Sequence, residues 1–169
     1  MIVRRLLAAV LVAFGMLLFV NVGIATAHFL GEDSVDGREI RYEDYTKWDD
    51  SRSWGEARWE ELPGGVTIAP DSAWVVADLE IRDYSANDGY CGYWDGRTGA
   101  DLLRLNDSYY NGASTTNRRA CTLHEWGHAH RLAHSYNDQV MDDCPVSACG
   151  SVYTYPQAHD KSDYNSYWG

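Results

Sequence analysis

Apolar and polar positions alternate weakly through REIRYEDY (residues 38–45), which predicts a half-buried strand. In SRSWGEARWEEL (51–62) the residues Trp54, Ala57, Trp59 and Leu62 share a broad face, so a short amphipathic helix is expected, stopped by Pro63-Gly64-Gly65. GVTIAP (65–70) reads as a short strand. AWVVADLEIRDY (73–84) is the strongest strand pattern, with Val76, Leu79 and Ile81 as apolar anchors. NDGYCGYWDGRTG (87–99) reads as a glycine-rich loop, DLLRLND (101–107) as another strand and SYYNGASTTN (108–117) as a polar loop with several turn formers. RRACTLHEWGHAHRLA (118–133) is free of breakers except Gly127 and predicts a helix capped by Asn117 or Thr116. Past His134 the chain turns polar, with Met141 in the middle of the loop NDQVMDDCP (137–145). Pro156 suits the first turn of a closing helix over 156–168. Strands with one early helix, then a second helix, loops and a last helix form an α+β pattern, without internal repeats or low-complexity linkers.

The N-terminus stands apart from this pattern. Arg4 and Arg5 precede an unbroken apolar run over 6–20, and Ala25-Thr26-Ala27 supplies small residues at a cleavage spacing. Residues 1–27 therefore read as a secretory signal peptide. The run is shorter than the roughly 20 residues of a membrane-spanning helix, and a retained N-terminal anchor is the alternative. Residues 28–169 are expected to form one secreted, extracellular, monomeric domain, free of the membrane once the signal is cleaved. That part carries 12 basic and 25 acidic residues, a net charge of −13, which disfavours nucleic acid and anionic lipid as partners. Its carboxylates make calcium possible, but no D-x-D-x-D-G loop supports it, and Asp95, Asp101 and Asp107 read as solvated or turn residues. Cys91, Cys121, Cys144 and Cys149 all lie in this part, so two disulfides are expected from three possible pairings. The short spacing of Cys144 and Cys149 suits a local loop, which leaves Cys91 for Cys121. The spacings do not fit a Cys-rich zinc site.

The densest chemistry is HEWGHAHRLAH (124–134), which holds four of the six histidines. His124 and His128 are four residues apart and stack on one helix face, within reach of one ion. Glu125 beside them completes H-E-x-x-H, whose glutamate can polarise a zinc-bound water. Zinc with an open catalytic position needs a third protein ligand. His130 points to another face of the helix and reads as a surface or supporting polar residue. His134 would lie about 15 Å along a continuous helix from His124, so it can ligate only if the helix stops near residue 131 and the chain doubles back. Asp138 and His159 are the other candidates for the third ligand.

The longer pattern H-E-x-x-H-x-x-G-x-x-H resembles the zinc signature of the metzincin metalloproteases. His124, Glu125, His128 and His134 match it, Met141 stands where that family has a methionine turn beneath the metal, and HDKSDYNSYWG places Asp160, Trp168 and Gly169 as in the closing helix of the matrixin branch. The resemblance covers residues 120–169; upstream it rests on element order. It implies a metzincin-like fold: a small twisted sheet packed with a backing helix and an active-site helix, a methionine turn and a C-terminal helix. It implies one catalytic zinc on His124, His128 and His134, with Glu125 as the catalytic residue. Tyr153 and Tyr155 would sit near a wall of the substrate pocket. Asp143, where some metzincins have a tyrosine, agrees with the matrixin branch. One position departs: the family's glycine is Arg131, where a left-handed backbone costs a non-glycine residue about 1–2 kcal/mol.

The expected activity is therefore that of a secreted zinc metalloendopeptidase, a hydrolase that cuts protein or peptide substrates with a zinc-bound water activated by Glu125. The alternative is a secreted, non-catalytic zinc-containing binding protein with a degenerate protease fold. Seven Trp and twelve Tyr would suit such binding. Against it, a structural zinc fills its four positions with protein ligands, and only three good ones are present.

Overall fold

A computed structural model describes residues 28–74, 76–143 and 151–169. The expected signal peptide and the Cys144–Cys149 pairing lie outside these residues. The described chain is an α+β fold of five strands and four helices: β1 (Glu39–Tyr45), α1 (Asp49–Glu60), β2 (Thr67–Pro70), β3 (Leu79–Tyr84), β4 (Gly92–Asp95), β5 (Asp101–Asn106), α2 (Asp107–Tyr110), α3 (Thr115–Ala129) and α4 (Ala158–Trp168). The sheet runs in the order β2-β1-β3-β5-β4. Its first four strands are mutually parallel, and only the edge strand β4 is antiparallel to its neighbour β5.

Strand alternation decides which face is covered. Ile40 and Tyr42 of β1, Leu79 and Ile81 of β3, and Leu103 and Leu105 of β5 are buried in one cluster with Trp59, Leu123 and Trp126 from the helices. The intervening residues form i,i+2 ion pairs, Arg41 with Glu39 and Arg82 with Glu80, both at 2.7 Å. Apolar residues thus point to the helices and charged pairs to the other face, as a sheet buried on one side requires.

Helix α1 carries Asp49 and Asp50 in its first turn and Arg58 in its last, matching the helix dipole. It packs against α3. Gly55 permits the approach, because a Cβ there would overlap the Trp126 ring. Trp59 of α1 donates its indole N–H to the Leu123 carbonyl of α3 at 2.8 Å. The two helices are locked by buried tryptophans whose N–H groups are satisfied. Among the described residues no helix is long and apolar enough to cross a membrane.

Five local expectations are corrected. The 73–84 strand begins only at Leu79, and Val76 is 83 % exposed instead of anchored. Asp78 ends the pairing, since its carboxylate accepts the Arg41 N–H at 2.7 Å. The glycine-rich segment 87–99 contains β4, paired to β5 through Tyr93 and Trp94. The polar loop after β5 opens with α2, capped by the Asn106 side chain accepting from the Ser108 N–H. The cap of α3 is Ser114, accepting from the Asn117 N–H at 3.2 Å, so the helix starts earlier than Thr116 or Asn117 would allow. The closing helix begins at Ala158 behind a Gln157 cap.

Candidate metal centre

His124 and His128 lie in the last two turns of α3, their rings 4.6 Å apart between centroids. The Nδ1–H of His124 donates to the Val140 carbonyl at 2.7 Å, and that of His128 to the Leu132 carbonyl at 2.8 Å. These bonds fix the tautomer: with Nδ1 protonated, each Nε2 keeps its lone pair for an ion. Burial, with help from the neighbouring ring of His128, holds His124 well below the usual imidazole range; burial lowers His128 to about 4. Both rings are therefore neutral at pH 7, the form that ligates.

Helix α3 ends where the ligand geometry needs it to. Arg131 adopts a left-handed backbone, φ 77°. The Leu132 N–H reaches back to the Gly127 carbonyl at 3.0 Å and the Arg131 N–H to His128 at 2.8 Å, the paired bonds of a left-handed helix stop. Three groups hold a residue that is not glycine in this conformation. The Arg131 guanidinium pairs with Asp33 at 2.7 Å and lies 4.8 Å from the Tyr167 ring centroid. Its carbonyl accepts from the Leu30 N–H at 2.7 Å, and Phe29 bridges to Leu132. The segment after residue 28 thus straps the turn in place. The chain doubles back, and His134 Nε2 comes to 3.3 Å from His124 Nε2. Ligand atoms of His124, His128 and His134 all lie within 4.8 Å of one another.

The methionine loop lies beneath. Met141 is 1 % exposed and packs on Gly127, where a Cβ would collide with its sulfur. Asp160 of α4 anchors the loop by accepting the N–H groups of Val140 (2.9 Å), Met141 (3.1 Å) and Gln157 (2.7 Å). One carboxylate thereby fixes the Val140 carbonyl that orients His124.

Glu125 is 4 % exposed. Burial pushes its carboxyl up to about 8, opposed by the Trp94 backbone N–H, and its Oε2 is buried without a protein partner. Gly92 lets β4 pass close above it, since a Cβ there would meet the Arg104 carbonyl at 2.7 Å and the Glu125 Cγ at 3.2 Å. A cleft of about 200 Å³ opens over the site, lined by Tyr93, Trp94, the three histidines, Glu125 and Asp143. Three imidazoles with a buried carboxyl alongside form a donor set that suits zinc with an open position.

Other expected residues go elsewhere. His130 is neither at the surface nor beside the site: it is fully buried, its Nδ1–H on the Trp126 carbonyl at 2.6 Å and its ring stacked 5.5 Å from Trp59. Trp126 is fully buried in the core. Asp138 hydrogen-bonds Tyr153, and His159 clusters with His28 and Asp163, so neither joins the three histidines. Tyr153 packs on the core and Tyr155 meets Trp54 edge-on at 5.5 Å; neither lines the histidine cleft. Asp101 is a buried strand residue accepting from Ser34 and Arg97, and Asp107 pairs with Lys47. Cys91 and Cys121 form a disulfide that joins the entry of β4 to α3. Asp33 and the Trp94 N–H gave no signal in the sequence, because each acts across a long separation.

No family model matches the chain, and no curated protein matches it significantly.

Proposed function

We propose that the protein is a secreted, zinc-dependent endopeptidase of matrixin-like metzincin type. The observation that supports this best is the convergence of the His124, His128 and His134 ring nitrogens beside the unpartnered buried oxygen of Glu125, at the floor of an open cleft. Zinc bound there would act as a Lewis acid toward the scissile carbonyl and acidify the attacking water. The residues of the chain do the rest. His124 and His128, fixed by the Val140 and Leu132 carbonyls, present preset donors and need no reorganisation. Glu125, whose ionised form a divalent cation beside it would favour, would then take the proton from the attacking water and deliver it to the leaving amine. Strand β4 borders the cleft and is an edge of the sheet among the described residues, so an extended peptide laid along it would pair as an added strand. Such a site favours an unfolded segment over a folded surface.

The test is Glu125→Ala in the exported chain. Zinc content equal to wild type with loss of hydrolysis of an unfolded protein is the expected result. Hydrolysis unchanged by the substitution would refute the assignment, and no hydrolysis by zinc-loaded wild type would favour a binding role.

A further inference from the structure

Helix α4 presents His159 and Asp163 one turn apart, on one face. The chain segment that straps the Arg131 turn brings His28 against that face. His28 Nδ1 lies 3.2 Å from His159 Nε2 and 3.6 Å from Asp163 Oδ2, and His159 Nε2 lies 3.3 Å from the same oxygen. Adjacent donors around a tetrahedral zinc with bonds of about 2.0–2.1 Å are about 3.3 Å apart, so this triangle has the dimensions of one face of a coordination shell. The side chain of Asp163 is 4 % exposed, and its ion-pair partners among the described residues are these two imidazoles alone. A buried carboxylate and two ring nitrogens this close together could hold one metal ion between them.

We infer that His28, His159 and Asp163 form a second transition-metal site, distinct from the three-histidine centre. The backbone nitrogen of His28 points into the same cluster, 3.2 Å from Asp163 Oδ2. Cleavage after Ala27 would make that nitrogen a primary amine. Amine and Nδ1 of one histidine close a chelate ring on a metal, and His159 adds a third nitrogen. The processed chain therefore offers a nitrogen-rich set that selects copper(II) over zinc, by the usual order of affinities for such ligands. The chain before cleavage offers two imidazoles and a carboxylate, a set that suits zinc. A metal here ties the start of the domain to α4, which carries the Asp160 anchor of the methionine loop.

The site is tested in a background that removes the first one. The full chain carrying His124→Gln and His128→Gln is exported and purified, its N-terminal residue read by sequencing, and copper(II) and zinc are titrated separately. About one ion per chain is expected, with a rise in Tm, and His159→Gln in addition is expected to weaken binding at least tenfold, roughly the least that a lost metal partner costs. A chain beginning at His28 should prefer copper and show nitrogen couplings in the cupric resonance spectrum. No bound ion, or binding indifferent to His159→Gln, would overturn the inference. If the background does not fold, His159→Gln alone is compared with wild type. A fall from about two ions per chain to about one supports the site, and unchanged stoichiometry sinks it. Because the first site is absent from the background, failure of the endopeptidase reading does not affect the outcome.

Discussion

Arg131→Gly and Arg131→Ala separate the two things this residue does. Its backbone sits at φ 77°, which costs a side-chain-bearing residue about 1–2 kcal/mol. Its guanidinium contributes a partly exposed ion pair to Asp33, worth up to about 1 kcal/mol, and a contact with Tyr167 worth about 0.5–1 kcal/mol. Alanine keeps the backbone cost and loses both contacts, so Arg131→Ala should destabilise by about 1–2 kcal/mol. Glycine loses the same contacts and sheds the backbone cost, while gaining about 0.4–1 kcal/mol of freedom in the unfolded chain. Arg131→Gly should therefore be more stable than Arg131→Ala by about 0.5–1 kcal/mol, while remaining at or slightly below wild type. Urea unfolding of the three metal-free proteins at equal m-values measures this directly. An alanine variant as stable as the glycine variant, or more so, would refute the claim that strain at this turn is stored and compensated by the side chain.

Gly127→Ala drives a methyl group into the Met141 sulfur and should cost about 1–3 kcal/mol, with weaker zinc retention, read by urea unfolding and chelator competition. Replacing Cys91 and Cys121 together by alanine opens a loop with a sequence separation of 30 and should lower stability by about 3.5 kcal/mol, read by denaturant unfolding against the oxidised protein. Asp160→Asn puts an amide where three N–H groups need an acceptor, so a loss of about 1–3 kcal/mol is expected, together with reduced zinc affinity through the displaced Val140 carbonyl.

Much of the architecture was legible because its period was local. The strands around Ile40, Leu79 and Leu103 announced themselves by alternation, and α3 by an unbroken run with one glycine. Alternation overruns at Val76, where apolar residues continue but the Asp78 carboxylate takes the Arg41 N–H that a longer strand would need, and it misses β4, whose glycines read as loop. Gly92 is there because the strand must pass the Arg104 carbonyl and Glu125 closely, a constraint that belongs to tertiary structure. At the site, the spacing of His124, Glu125 and His128 fixed their common location on α3, and His134 required a turn that spacing only permitted. What makes the turn is nonlocal: Asp33, Leu30 and Tyr167 come from both ends of the domain to hold Arg131. His130 was misplaced because helical spacing gives a direction but not what lies there, and Trp59 with Tyr164 fills that side. The meeting of His28 with His159 and Asp163 spans the whole domain and left no trace in local pattern.

The central claim is that three imidazoles, one of them delivered by the turn at Arg131, make a single zinc site. The most direct measurement is zinc affinity by chelator competition for wild type and His134→Gln. His134 is exposed, so its replacement should leave the fold intact. A loss of at least about a hundredfold is predicted, the upper end of what removing even a supporting partner does to a metal site. Equal affinity in the two proteins, with both folded, would mean that His134 is not a ligand, and the endopeptidase assignment would lose its foundation.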